Sequence, residues 1–117
     1  MIGRIHERAV FARLRRDGSF VRSGPLWCSV LVDPTLSHAH VAYALGRPLG
    51  SAVSRNRLRR RLREVMAAHS AGLAPGWYLL GADARALTLS FGELNAVVPG
   101  LVASAAARNR TRREGAK

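Results

Sequence analysis

Residues 50–64 read Gly50-Ser51-Ala52-Val53-Ser54-Arg55-Asn56-Arg57-Leu58-Arg59-Arg60-Arg61-Leu62-Arg63-Glu64. Ser51 is a candidate N-cap, because its hydroxyl can accept from an orphan backbone N–H of the first turn. Leu58, Leu62, Val65 and Met66 recur at i, i+4, i+7 and i+8, which is one face of a helix. The spacing predicts a helix running to about His69. Its other faces carry six Arg within residues 55–63 and no acid. A merely solvated face is the alternative, but so many like charges without a counter-charge repel one another. They favour a polyanionic partner. Guanidinium forks match phosphate oxygens, and the Asn56 amide can donate and accept at base edges or 2′-hydroxyls.

The same bias marks the whole chain of 117 residues, which is one domain's worth. Nineteen Lys and Arg face seven Asp and Glu, for a net charge of +12, and every cation but Lys117 is Arg. An Arg excess suits phosphate recognition, and a GC-rich genome explains it equally well. Cations cluster in residues 1–22, 47–63 and 108–117, separated by nearly neutral apolar stretches. Blocks of this kind suggest a binding footprint. At 48% hydrophobic content the chain can build a core, so a wholly disordered basic protein is excluded. No run approaches the roughly 18 apolar residues of a membrane span. The start Met1-Ile2-Gly3-Arg4 shows no hydrophobic signal core, and Cys28 is the only cysteine. A cytoplasmic protein without disulfides is expected.

Outward from the central helix, residues 6–17 repeat Val10, Phe11 and Leu14 at helical spacing and stop at Asp17-Gly18. Ser19–Arg22 can form a short strand, and Gly24-Pro25 a turn. Leu26–Val32 and His40–Leu45 read as strands, and the segment between them suggests a hairpin with a longer loop. Trp77–Leu80 reads as a short buried strand. Residues 89–107 read as a last helix, with Ser90 near its start, Glu93 in its first turn, and a kink or break at Pro99-Gly100. The order α-β-β-β-α-β-α predicts an α+β fold, a single two-layer α-β sandwich. Residues 1–107 are expected to form the domain, and residues 108–117 a disordered basic tail.

The stretch from Gly50 to Glu64 resembles the signature of the bacterial ribonuclease P protein family: glycine, a small polar residue, Ala-Val, any residue, Arg-Asn-Arg, then a basic-hydrophobic helix. Residues 4–18, with Phe11 and the closing Gly18, are similar to that family's first helix. Trp27–Val32 resembles its strand, and Leu89-Ser90-Phe91-Gly92-Glu93-Leu94 the start of its last helix. The resemblance spans roughly residues 4–105. It implies a sandwich like the second domain of a ribosomal protein, with a left-handed β-α-β crossover, an exception to the usual hand. It also implies a protein subunit of ribonuclease P, whose RNA subunit cuts the 5′ leader from precursor tRNA. Arg55, Asn56, Arg57, Arg59, Arg60 and Arg63 fall on positions that contact the catalytic RNA. Phe11, Arg15, Trp27, Ser29 and Arg47 fall at or near the leader cleft. The implied partners are the ribonuclease P RNA and precursor tRNA, with no membrane and no protein partner required. Magnesium is needed by the RNA, and no cofactor, catalytic residue or metal site is expected on the protein itself.

Four places depart from the family pattern. Arg15 stands where a second aromatic is usual, and Ser29 where an aromatic is common. Gly46-Arg47-Pro48 replaces a connector with one more cation. Asp83 sits near a usual arginine, with Arg85 two residues on. His6, His38, His40 and His69 form no complete ligand pattern. Cys28, mid-strand among apolar residues, is expected in the core. Nucleophile-elbow and phosphate-loop patterns are absent from the sequence. Two competing classes are a ribosomal or nucleoid-type structural nucleic-acid binder and a self-sufficient nuclease.

Overall fold

The structure is a computed structural model and describes residues 1–115. The chain runs β1 (Ile2–Arg4), α1 (Arg8–Asp17), β2 (Ser19–Ser23), β3 (Leu26–Val32), β4 (Ala39–Ala44), α2 (Ala52–Ala68), β5 (Gly76–Ala82) and α3 (Phe91–Gly115). Short 3-10 turns cover Arg47–Leu49, Ser70–Gly72 and Ala84–Thr88. The strands form one sheet in the order β1-β4-β5-β3-β2. The α+β sandwich is as the sequence predicts, with one short strand added ahead of the first helix. That strand pairs in parallel with β4, Ile2 opposite Ala39.

The expected hairpin between β3 and β4 does not form. Strand β5 lies between them, antiparallel to β3 from Leu26↔Ala82 to Val32↔Gly76, and parallel to β4 from Ala39↔Gly76 to Ala44↔Gly81. The loop after Asp33 therefore crosses two strand spacings, about 9.6 Å. The burial of β5 explains its place: Tyr78 and Leu80 are fully buried on one face, while Trp77 and Leu79 pack on the other. A strand apolar on both faces belongs inside a sheet.

The main core lies between one sheet face and the helices α2 and α3. Leu26, Cys28, Val30, Val41, Tyr78 and Leu80 meet Leu58, Leu62, Val65 and Met66 from α2, and Leu94, Val98, Leu101 and Val102 from α3. Cys28 is buried in this core, and burial pushes its thiol up to about 12. The other face is partly covered by α1, whose Val10 and Leu14 pack on Leu31 beside Phe11, Trp77 and Leu79.

Helix α3 corrects two expectations. It does not break at Pro99-Gly100, one helix running through both residues. Proline removes the bond to the residue four back, Asn95, but that residue is exposed, where water can replace it. The helix also continues past residue 107 to Gly115, so the expected tail is ordered over 108–115; residues 116–117 lie outside the described part. The buried stripe Leu94, Val98, Leu101, Val102, Ala105 and Ala106 continues into a polar residue, Asn109, which is fully buried. Asn109 Oδ1 accepts from Val32 N at 2.8 Å, and its Nδ2 donates to the Asp17 carbonyl at 3.0 Å and Ser19 Oγ at 3.2 Å. Arg113 Nη1 donates to the Val32 carbonyl.

Candidate nucleic-acid interface

Helix α2 is fixed at its start by the residues that open the signature. Gly50 has φ 155°, and a Cβ there would come within 2.8 Å of Leu87 Cδ1. The conformation thus favours glycine, and any side chain there would also have to push the Leu87 methyl aside. Ser51 caps the helix, its Oγ accepting from Ser54 N at 3.1 Å. With Leu58, Leu62, Val65 and Met66 buried, the arginines are left outward.

The six residues predicted to contact the catalytic RNA all lie on this helix but fall into different settings. Arg55 folds back, donating from Nε to the Gly50 carbonyl at 3.2 Å and from Nη1 to the Leu45 carbonyl at 3.4 Å. Arg59 Nη1 donates to Asn56 Oδ1 at 2.7 Å, orienting the amide. Arg63 lies 5.9 Å from the Tyr43 ring centroid, and burial pushes the Tyr43 phenol up to about 12 against the opposing charge of Arg63. Arg57 and Arg60 are exposed, with no side-chain hydrogen bond among the described residues. Arg61 donates to the Leu89 carbonyl at 2.9 Å and ties α2 to the start of α3. Among the described residues, none of the α2 arginines is ion-paired with an acid. The face is a set of guanidinium groups, some anchored and some free, with no internal neutralisation.

The second feature is a groove between α1 and the sheet. Phe11, Leu14, Arg15, Gly18, Phe20, Trp27, Ser29 and Leu79 line about 390 Å³ of space. Phe11, Arg15, Trp27 and Ser29 are therefore brought together. Arg47 is not: it lies exposed in the turn Arg47–Leu49 that leads into α2, outside the groove lining, because the chain leaves the sheet at the end of β4. Trp27 has room because Gly81 is its cross-strand partner; a Cβ at Gly81 would lie 2.1 Å from the indole.

Sequence reasoning missed Phe20. It is directly opposite Ser29 across β2 and β3, half exposed, with its ring 5.5 Å from that of Trp27. The signal was present in the tight turn. Gly24 adopts φ 56°, which glycine tolerates, and a two-residue turn pairs Ser23 with Leu26. Counting back then places Phe20 opposite Ser29. An aromatic residue thus stands beside the position where Ser29 lacks one.

At the far edge, Asp83 accepts from Arg85 Nη2 at 2.7 Å and lies 3.7 Å from Arg22. The Arg85 hydrogen bonds hold the Asp83 carboxyl below the usual carboxylate range. His38 and His40 stack at 4.7 Å, and His40 lies 4.8 Å from Trp77. Among the described residues, no three His, Cys, Asp or Glu side chains are grouped to hold a metal, and no helix is long and apolar enough to cross a membrane.

Comparison with known proteins matches this geometry to one family. The ribonuclease P family profile matches residues 3–105. The chain is 32% identical over 99 residues to the ribonuclease P protein component of Dehalococcoides mccartyi strain CBDB1, covering 84% of this chain and 79% of that one. It is 34% identical over 92 residues to the ribonuclease P protein component of Symbiobacterium thermophilum, covering 78% and 80%. Its fold is similar to the Staphylococcus aureus RNase P protein, with TM-score 0.79 at 20% identity over 87% of this chain and 94% of that one. The Thermotoga maritima RNase P protein gives TM-score 0.76 at 15% identity over 85% and 94%. From the arginine-rich helix, the architecture and these matches, the chain belongs to the ribonuclease P protein family.

Proposed function

We propose that the chain is the protein subunit of ribonuclease P, that the arginine face of α2 contacts the catalytic RNA, and that the groove between α1 and the sheet receives the 5′ leader of precursor tRNA. The observation that carries this reading is an arginine face with no acid ion-paired to it among the described residues, backed by an apolar face buried in the core. Arg55 and Arg59, held by the Gly50, Leu45 and Asn56 oxygens, present cations at fixed positions. Arg57, Arg60 and Arg63 adapt to the phosphates they meet. In the groove, Phe11, Phe20 and Trp27 offer stacking surfaces and Arg15 a cation, the combination by which single strands are held.

In this reading the RNA subunit hydrolyses the phosphodiester bond and would itself hold the magnesium that the reaction needs. The chain lowers electrostatic repulsion between the two RNAs and adds affinity for the leader. Activity without the protein is then recovered at high salt.

The test is the salt dependence of binding to ribonuclease P RNA. Each phosphate contact contributes a slope of about −0.9 in log K against log salt. Replacing Arg57 and Arg60 by alanine is expected to reduce the slope by about two units, with an unchanged melting temperature. An unchanged slope removes these residues from the interface. Equal affinity for duplex DNA favours a structural nucleic-acid binder instead, and cleavage of precursor tRNA by the protein alone sinks the RNA-catalysed reading.

A further inference from the structure

The third basic block ends where the groove begins. Helix α3 packs on the opposite face of the sheet, yet its last turns reach round the β2 edge. Arg108 Nη1 donates to the Phe20 carbonyl at 3.1 Å. Arg112 donates from Nη1 to the Gly18 carbonyl at 2.6 Å and from Nη2 to the Arg16 carbonyl at 3.2 Å. Gly18 and Phe20 line the groove. Two guanidinium groups thus sit within hydrogen-bond distance of the groove's backbone wall, and both residues are exposed. They lie one turn apart on the same helix face, about 6 Å along its axis. Each guanidinium has five N–H donors, so these bonds leave both with donors to spare. Among the described residues neither is ion-paired with an acid. Asp17, the acid nearest in sequence to this wall, is engaged by Arg16 at 3.2 Å.

The groove lining itself contains one cation, Arg15, against an aromatic floor of Phe11, Phe20 and Trp27. Stacking alone leaves the phosphates of a bound strand unneutralised, whereas single-strand sites pair aromatic platforms with cations that track the backbone. We propose that Arg108 and Arg112 form a phosphate-contacting lip of the groove, so that single-stranded RNA lying in it is held on its bases by Phe20 and Trp27 and on its backbone by cations from both ends of the chain. This rests on the reading of the groove as the leader site and extends that site to a helix turn beyond the family match, which ends at residue 105. Anchoring by the Phe20, Gly18 and Arg16 carbonyls makes the lip pre-formed, so little side-chain entropy is lost when phosphate binds.

The experiment uses the full chain reconstituted with ribonuclease P RNA. It measures binding of precursor tRNA carrying a single-stranded leader, and of mature tRNA, across a salt series. Four variants are compared: R108Q/R112Q, R108K/R112K, R110Q and F20L. Melting temperatures are read for each, and binding is measured below the lowest. The expected result is that R108Q/R112Q weakens leader-bearing tRNA about tenfold and lowers its salt slope by about 1.4, two contacts at about 0.7 each for a single strand. Mature tRNA is unaffected. R108K/R112K keeps the slope, and R110Q, exposed on α3 but not bonded to the groove wall, matches the parent chain. If R108Q/R112Q melts lower yet keeps leader affinity and slope while F20L loses leader affinity, the two arginines are only a clamp and the inference is overturned while the groove reading stands. Failure of F20L to alter leader affinity overturns the groove reading, and the lip with it.

Discussion

Replacing Asn109 by leucine tests the end of α3 where it bears on everything else. The two side chains share one branched skeleton of four heavy atoms, so the change removes the polar groups, and the bulkier methyl groups of leucine can only deepen the loss. Three hydrogen bonds disappear: from Val32 N at 2.8 Å, to the Asp17 carbonyl at 3.0 Å and to Ser19 Oγ at 3.2 Å. Their effects differ. The Val32 N–H stays in a site where Asn109 was fully buried, and an unpaired buried donor costs about 1–3 kcal/mol. The Ser19 hydroxyl can rotate toward another acceptor and the Asp17 carbonyl belongs to an exposed residue, so each loses about 0.5–1 kcal/mol. The sum is about 3 kcal/mol, a large share of the usual stability of a domain. For 117 residues, about 2.1 cal/mol/K of unfolding entropy per residue converts this to a fall of about 12 °C in Tm. Urea titration and calorimetry measure both quantities. A loss below about 1 kcal/mol refutes the reasoning, because it means that the end of α3 does not hold β3 to α1. An intact Tm with lost helicity over 108–115 refutes it in the same way.

Two further outcomes are expected. Gly81→Ala places a Cβ 2.1 Å from the Trp27 indole and forces the ring to move. Overpacking costs about 1–3 kcal/mol of stability, and loss of a stacking surface worth about 1–3 kcal/mol weakens leader-bearing tRNA roughly 5- to 150-fold. Equal weakening of mature tRNA makes Trp27 structural. The second concerns pH. The Cys28 thiol moves from 9.0 to about 12 through burial. Below pH 9 both states are protonated and the stabilisation is complete; above it the unfolded thiol ionises while the native one stays neutral. Stability therefore falls by about 1.4 kcal/mol per pH unit from this group as pH rises from 9 toward 12. Urea titrations from pH 8 to 10.5 check it: Cys28→Ala is expected to flatten the fall, and an identical slope in the variant refutes the assignment.

What the sequence made legible follows local periodicity. Helix α2, its Ser51 cap and its four buried positions stand in the residues themselves, because a helix's face depends on neighbours three and four apart. Strand β3 is equally local. The place of β5 is not. Its pairing with β3 on one side and β4 on the other is set by which strands are apolar on both faces, and a short apolar run does not name its partners. Strand β1 was invisible for a related reason: Ile2-Gly3-Arg4 has no alternation, and it is a strand only because β4 offers it an edge. The end of α3 was missed because its buried stripe changes character from alanine to Asn109, and counting apolar residues stops about two turns too early. In the groove, Phe11, Arg15, Trp27 and Ser29 were legible as a group, whereas Phe20 needed the register across the Gly24-Pro25 turn. Arg55 and Arg57 look alike in sequence; only the fold shows that one is folded back on carbonyls and the other is exposed, with no side-chain hydrogen bond among the described residues.

The central place of β5 also sets the order in which the molecule can be made. When the first 75 residues have been synthesised, β2 with β3 and β1 with β4 are two separate ribbons, each too small to be stable alone in water. Residues 76–82 join them by pairing with both at once. The Val32 N–H then waits for Asn109, 77 residues later, before its bond exists. At about 5–20 residues per second this interval lasts several seconds on the ribosome, and until β5 is made within it the two halves of the sheet have nothing to join them. The chain commits to its fold late and nearly in one step. A nascent chain ending before Gly76 is expected to be protease-sensitive throughout, and one reaching Gly115 to be resistant.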